Sequence, residues 1–260
     1  MKKIIVALIC LSPFLLSCNA QKNSSVVAEI NPFKYTSSKK VIAENGAVVS
    51  AHPLASKVGV VILKMGGNAV DAAIATQLAL AVVYPAAGNI GGGGFLVGRL
   101  SNGELISIDY REKAPGSASR DMYIDETGKA RTDLSQNGHL AGGVPGTVSG
   151  LFTSHQYAKL PFSKLIQPAI DLAEKGFAIT SGEARAFNSI QESLKKYNSV
   201  MPAFVKQTPW KEGDTLIQTD LANTLKRIQK NGAAGFYEGE TANLLVAEMK
   251  RGNGIISLED

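Results

Sequence analysis

Arg111 is the side chain whose type and position point most directly to a binding function. It follows an apolar run that ends in Asp109-Tyr110 and precedes a loop that begins at Glu112 and soon reaches Pro-Gly. Ligand groups are commonly presented where a strand runs into a loop, and a guanidinium can hold a carboxylate through two parallel hydrogen bonds. The alternative is a surface arginine paired with Asp109 or Glu112, and composition alone favours that alternative.

Two glycine-rich strings could also carry chemistry, at residues 91–94 and 142–146. A phosphate loop needs a strand, then the loop, then a lysine and a hydroxyl residue that start a helix, whereas here the first string follows a helical pattern and leads into a strand. We therefore exclude nucleotide binding. Consecutive glycines let a backbone approach either a ligand or another segment closely, and both interpretations stay open.

No nucleophile of the serine-hydrolase type is indicated. The nearest string to Gly-x-Ser-x-Gly, at 146–150, has its serine displaced by one position, and it predicts the start of a helix instead. The three histidines, His52, His139 and His155, lack the spacing of metal ligands, so we expect neither a metal nor a cofactor. The net charge of +5 is scattered along the chain, which argues against a nucleic-acid partner.

The first forty residues have the composition of an export signal and a tether. Residues 1–17 combine two lysines with an apolar run too short to span a bilayer, which is typical of a signal peptide. The string that ends in Cys18 resembles a lipoprotein box, so we expect lipidation of Cys18; an ordinary signal peptide with an incidental cysteine is the alternative. Residues 18–40 then form a lipidated, flexible tether. These features predict an exported protein, in the periplasm or held at the outer membrane by its lipid anchor.

The remaining pattern predicts a helix-rich α+β domain over residues 41–260. A buried strand is predicted at 47–50, and Asn102-Gly103 between apolar runs indicates a hairpin of strands 95–100 and 105–110. Asn68 is expected to cap an interior helix that packs against a sheet, with Asp71 at its positive end. Helical periodicity predicts helices at 53–65, 69–83, 146–158, 162–174, 183–197, 221–229 and 240–250.

Five strings occur in an order that resembles the γ-glutamyltransferase family. They are VVSAHPLAS at 48–56, GGNAVDAA at 66–73, GGGGF at 91–95, DYREKAP at 109–115 and GVPG at 143–146. The resemblance runs from about Val41 to the last residue. Each string is weak evidence alone, but five in order make a chance origin remote.

The resemblance implies an N-terminal-nucleophile hydrolase, an αββα sandwich made as a precursor that cuts itself into a large and a small subunit. In this family the amino-terminal threonine of the small subunit attacks the γ-glutamyl amide of glutathione or related compounds. The glutamyl group passes to water or to an acceptor amino acid or peptide. The arginine of the Arg-Glu-x-Ala-Pro string grips the α-carboxylate of the substrate, and that position here is Arg111.

This sequence departs from the family pattern in one respect. It holds no Thr-Thr-His-aromatic-Ser string, and the superficially similar residues 153–157 fall within a predicted helix. We therefore expect an incomplete sandwich, a large-subunit region that lacks its small subunit and is inactive by itself. Two alternatives stay open: an amide hydrolase similar to the cephalosporin acylases, and a non-catalytic surface lipoprotein that binds through the same loop. A downstream reading frame with a threonine-led string would favour an enzyme.

Overall fold

The computed structural model describes residues 30–260, so the predicted signal peptide and Cys18 lie outside the described residues. Within this part the chain is mainly helical, with two small antiparallel sheets and a 3₁₀ turn at His139–Ala141. The helices are α1 (Pro53–Lys64), α2 (Ala69–Val83), α3 (Thr132–Gln136), α4 (Thr147–His155), α5 (Phe162–Lys175), α6 (Ser181–Ser189), α7 (Gln191–Tyr197), α8 (Thr219–Asn231), α9 (Ala234–Tyr237) and α10 (Gly239–Arg251). The strands are β1 (Phe95–Arg99), β2 (Leu105–Asp109), β3 (Phe177–Ala178) and β4 (Thr215–Leu216).

Four helices pack in succession and enclose the core. Helix α1 packs on α2, α2 on α5, and α5 on α8. The large side chains that they bury almost completely are aliphatic and include Leu54, Ile62, Ile74, Leu78, Leu165, Ile170 and Leu225. Helix α2 is buried on nearly every face, as predicted for an interior helix, but in the described part it packs chiefly against helices rather than a sheet. None of the described helices is both long and apolar enough to cross a bilayer.

The N-terminus of α2 is capped by Asn68 as predicted, and its first turn also binds a second segment of the chain. Asn68 Oδ1 accepts the backbone N–H groups of Val70 and Asp71, and the Asp71 carboxylate accepts the N–H of Asn68 at 2.7 Å. The same carboxylate, fully buried, accepts the N–H groups of Lys159 and Leu160 from the turn before α5. Asp71 therefore joins the start of α2 to a chain segment almost ninety residues away.

The predicted hairpin is confirmed. Strands β1 and β2 pair antiparallel from Phe95↔Asp109 to Arg99↔Leu105. The turn between them uses Gly103 at φ +89°, a left-handed conformation that glycine adopts without strain. Strand β2 packs against α4, so the hairpin brings Asp109 and the residues after it beside that helix.

Two predicted elements differ in the structure. Residues 47–50 form no strand, and the side chain of Val49 is 92% exposed rather than buried. The prediction of a buried strand was wrong for the described chain because no strand of residues 30–260 lies beside this segment to pair with it. The helix predicted at 183–197 is interrupted at Ile190, where the backbone turns to φ −104° and ψ 2° between α6 and α7.

Packing also begins earlier than Val41, where the folded region was expected to start. Ile30 is buried, the Tyr35 hydroxyl donates to the carbonyl of Ala178 at 2.6 Å, and the Ala178 N–H donates to the carbonyl of Pro32. Residues 30–35, which fall within the predicted tether, therefore lie against β3.

Candidate functional site

The structure places Arg111 two residues after the end of β2, with its side chain exposed beside an open cleft of about 420 Å³. The cleft is walled by the end of β2 and the loop that follows it, by the first turns of α4, by Tyr237 of α9 and by Asp260. The predicted binding residue therefore faces a concave surface assembled from distant parts of the chain.

The surface-pair alternative for Arg111 is not what the described residues show. Its backbone N–H donates to Asp109 Oδ1 at 3.0 Å, but neither Asp109 nor Glu112 forms a salt bridge with the guanidinium. The guanidinium carbon lies 5.9 Å from the centre of the Phe95 ring, within cation–π range. No carboxylate of residues 30–260 therefore neutralises the guanidinium, which remains able to bind the carboxylate of a ligand.

Both glycine-rich strings pack against the backbone that carries Arg111. A Cβ at Gly93 would lie 2.6 Å from the carbonyl oxygen of Tyr110, and a Cβ at Gly146 would lie 2.2 Å from the same atom. The N–H groups of Gly146 and Thr147 donate to the carbonyl of Gly92 at 2.8 and 2.9 Å, which joins the two strings. Close approach to another backbone segment, one of the two interpretations left open by the sequence, is confirmed.

Asn89 holds these strings together and was missed by the sequence analysis. Its Oδ1 accepts the N–H of Gly92 at 2.8 Å and the hydroxyl hydrogen of Thr147 at 2.7 Å. Thr147 is fully buried at the start of α4, so this hydrogen bond also satisfies a hydroxyl that would otherwise be costly to bury. An asparagine three residues before a glycine is a common turn signal, and this signal in the sequence could have identified Asn89.

Tyr237 forms the far wall of the cleft and was also missed. Its hydroxyl accepts the N–H of Ser149 at 3.0 Å and donates to the carbonyl of Pro145 at 2.9 Å. Burial raises the pKa of Tyr237, so the phenol stays protonated and can keep both roles. Nothing local marks it, because it belongs to a four-residue helix almost ninety residues further along the chain.

The electrostatic character of the cleft is mixed. Arg111 and Lys113 supply positive charge, and Asp109 and Asp260 supply negative charge. The backbone N–H of Gly116 donates to Asp260 at 2.6 Å, and this hydrogen bond above all lowers the pKa of Asp260. A ligand with both a carboxylate and an ammonium group, such as the head of an amino acid, matches these charges.

The other sequence candidates lie elsewhere. Residues 153–157 run through the end of α4, as expected for a helix, and His155 Nε2 contacts the carbonyl of Leu160.

The other two histidines each have a different acidic neighbour. His52 lies 3.2 Å from Glu183, and His139 lies 2.7 Å from Glu248 on α10. Among residues 30–260, no group of three or more His, Cys, Asp or Glu side chains is close enough to hold a metal ion.

Comparison with known proteins points to one family. The family profile described as Gamma-glutamyltranspeptidase matches residues 55–260. The glutathione hydrolase proenzyme of Pseudomonas sp. (strain A14) is 49% identical over 221 residues, which cover 84% of this chain and 38% of that protein. The chain thus spans about two-fifths of the length of the curated relatives it matches.

Solved structures agree with this match. The γ-glutamyltranspeptidase of Helicobacter pylori superposes with a TM-score of 0.82 at 47% identity, covering 85% of this chain and 64% of the other. A cephalosporin acylase from Bacillus halodurans superposes with a TM-score of 0.73 at 29% identity, covering 86% of this chain and 43% of the other. The described fold is therefore the one found in these enzymes, with mixed helix and strand content.

Proposed function

Because this chain belongs to the γ-glutamyltranspeptidase family, we propose that the complete protein cleaves the γ-glutamyl amide of glutathione and related γ-glutamyl compounds. The glutamyl group is passed to water or to the amine of an acceptor amino acid or peptide. The observation that carries the proposal is the Arg111 guanidinium, which has no carboxylate partner in the described residues and borders the cleft.

Arg111 binds the α-carboxylate of the γ-glutamyl group in this proposal. Two parallel N–H···O bonds orient the substrate, so that its γ-carbonyl is presented to a nucleophile from outside residues 1–260. That nucleophile is the amino-terminal threonine of the small subunit. Its hydroxyl adds to the γ-carbonyl while its own amine takes the proton, and the peptide amine leaves with a proton. Water or the acceptor amine then attacks this glutamyl ester, which frees glutamate or a new γ-glutamyl amide and returns a proton to the threonine oxygen.

We also propose that the small subunit packs against the apolar surface that is exposed on residues 30–260. The side chains of Val97 and Leu105 on the hairpin are 82% and 77% exposed, and Val49 is 92% exposed. An open groove of about 1190 Å³ runs between residues 43–50 and the outer faces of α1 and α2. Within it the buried hydroxyl of Thr76 has no hydrogen-bond partner among the described residues. Strands of the small subunit that cover these surfaces would complete an αββα sandwich.

Export and a lipid anchor at Cys18 are part of the proposal. The support is the sequence of residues 1–18 alone. They imply that the enzyme acts on γ-glutamyl compounds outside the cytoplasm, in the periplasm or at the outer membrane.

Arg111→Lys in the complete, processed enzyme tests the proposal. A lysine keeps the charge but loses the two-pronged contact. Transition-state stabilisation should therefore decrease by about 2–4 kcal/mol, which corresponds to a roughly 30- to 1,000-fold lower kcat/KM for L-γ-glutamyl-p-nitroanilide. The matched control is Arg120→Lys, since the Arg120 side chain is 92% exposed and its salt bridge is with the adjacent residue, Asp121. Near-normal kcat/KM in Arg111→Lys would remove the assigned role.

An acylase of the cephalosporin type is the second candidate, and the structural match to the Bacillus halodurans enzyme favours it. The glutathione hydrolase relative is the more similar of the two, at 49% against 29% identity. Parallel assays with γ-glutamyl-p-nitroanilide and a cephalosporin side-chain amide decide between them.

A further inference from the structure

Tyr110 lies between the two glycine-rich strings, with its ring held on both sides. A Cβ at Gly150 of α4 would lie 2.1 Å from Tyr110 Cγ, and a Cβ at Gly94 would lie 2.8 Å from Cε2. Real Cβ contacts at these distances do not occur, so only glycine at either position leaves room for the ring. The ring is therefore fixed by α4 on one side and by the turn before β1 on the other.

The polar atoms of Tyr110 are fixed as well. Its backbone N–H donates to the carbonyl of Gly94 at 3.0 Å, and its carbonyl accepts the Gly94 N–H at 3.3 Å. Its hydroxyl donates to Gln77 Oε1 of α2 at 3.1 Å and lies 3.4 Å from the carbonyl oxygen of Phe95. Burial raises the pKa of Tyr110, which keeps the phenol a donor. One residue thus connects the end of β2 to α2, to α4 and to the glycine turn.

Arg111 is attached directly to this fixed residue, and its one hydrogen bond among the described residues is the one that its backbone N–H donates to Asp109. The Arg111 side chain has no hydrogen-bonded support of its own within residues 30–260. Its position at the cleft therefore depends on where the preceding residue holds the main chain. A bidentate contact is sensitive to such placement, because an error of about 1 Å in a positioning group can cost on the order of 100-fold in rate.

We propose that Tyr110 is the positioning residue that sets Arg111 for the substrate α-carboxylate, acting through the clamp formed by Gly94, Gly150 and Gln77. The proposal rests on the function proposed above, since it assigns Arg111 a carboxylate to bind. It does not place Tyr110 in contact with substrate. Its effect is on the geometry of the neighbouring guanidinium.

The test compares two donors on the complete, processed enzyme. L-γ-Glutamyl-p-nitroanilide carries the α-carboxylate, and 4-aminobutyryl-p-nitroanilide is the same donor without it. The ratio of their kcat/KM values, called here the carboxylate ratio, reports recognition of that group alone. A purely structural defect would lower both rates together and leave the ratio unchanged.

Two substitutions at Tyr110 distinguish the contribution of the ring from that of the hydroxyl. Tyr110→Leu removes the ring that fills the clamp, and the carboxylate ratio should fall about tenfold or more, chiefly through KM for the carboxylate donor. Tyr110→Phe removes only the hydroxyl that donates to Gln77, and the ratio should fall about two- to fivefold, as expected for loss of one hydrogen bond. If Tyr110→Leu does not fold, the Phe variant decides the question.

Tyr35→Leu and Tyr35→Phe are the matched controls. Tyr35 is also half-buried and donates its hydroxyl to a backbone carbonyl, but it packs against His52, away from the cleft. Both controls should keep the wild-type carboxylate ratio.

The outcomes distinguish this inference from the function on which it rests. Arg111→Lys serves as the reference, and a wild-type ratio in that variant would overturn the proposed function itself. If Arg111→Lys lowers the ratio while every folded Tyr110 variant keeps it, only the positioning role is overturned. Lower ratios for both Arg111 and Tyr110 variants, with unchanged Tyr35 controls, support the role.

Discussion

Asp71 provides the sharpest test of how this fold is held together. Its buried carboxylate accepts N–H groups with both oxygens: Oδ2 from Asn68 at 2.7 Å and from Lys159 at 3.0 Å, and Oδ1 from Leu160 at 2.9 Å and from Lys159 at 3.2 Å. We expect Asp71→Asn to destabilise the protein strongly, because one oxygen becomes an amide donor that faces other donors.

The magnitude follows from how many of these hydrogen bonds the substitution removes. Hydrogen bonds to a charged group contribute about 1.5–3 kcal/mol each, and a buried donor left without a partner adds a desolvation penalty of about 1–3 kcal/mol. Asparagine keeps one acceptor oxygen, so the substitution removes one or two of these bonds. We therefore expect a decrease of about 3 kcal/mol in the free energy of unfolding, a large fraction of the ~5–15 kcal/mol typical of a domain.

Urea unfolding followed by circular dichroism measures this change, with Asp171→Asn as the control. Asp171 is also a buried aspartate in a helix, but it accepts one side-chain hydrogen bond, from Gln167, and lies 3.7 Å from Lys175. Its substitution should cost about 1 kcal/mol or less. Equal costs for the two variants would refute the reasoning. The carboxylate ratio of the folded Asp71→Asn enzyme should stay at its wild-type value, since Asp71 does not line the cleft.

Two further predictions concern pH and membrane attachment. The hydrogen bond from Arg251 is the largest influence on Glu248 and, with a smaller contribution from His139, lowers its pKa from 4.5 to about 2 although burial opposes the shift. The stabilisation from the ionised form is therefore complete above pH 4.5 and disappears as the pH falls towards 2. The difference in free energy of unfolding between wild type and Glu248→Gln should shrink over that interval, and a difference that stays constant down to pH 2 would contradict the assignment. Wild-type protein should partition into detergent with bound acyl chains, and Cys18→Ala material that still sediments with membranes would count against lipidation of Cys18.

The sequence predicted the parts of the site that depend on neighbouring residues. Asn68 was expected to cap α2 and does so, because a side-chain oxygen at that position meets the free N–H groups of the first turn whatever surrounds the helix. The hairpin of β1 and β2 was predicted for the same reason, since an Asn-Gly turn joins two apolar runs in register. Together these place Arg111 at a strand end, and the five ordered strings identified the family, which the comparisons with known proteins confirm.

The tertiary structure decided what the same residues contact. The sequence could not show that Asp71 binds the turn at 159–160, that Tyr237 closes the cleft, or that Gly94 and Gly150 enclose one ring. It also misjudged residues 47–50, whose apolar pattern predicts burial although no neighbouring strand of the described chain covers them. Local pattern determines which conformation a short segment prefers, because its hydrogen bonds are made within a few residues. Which distant groups meet, and which apolar faces stay open, depends on how all the elements pack at once, and that information is not contained in any single segment.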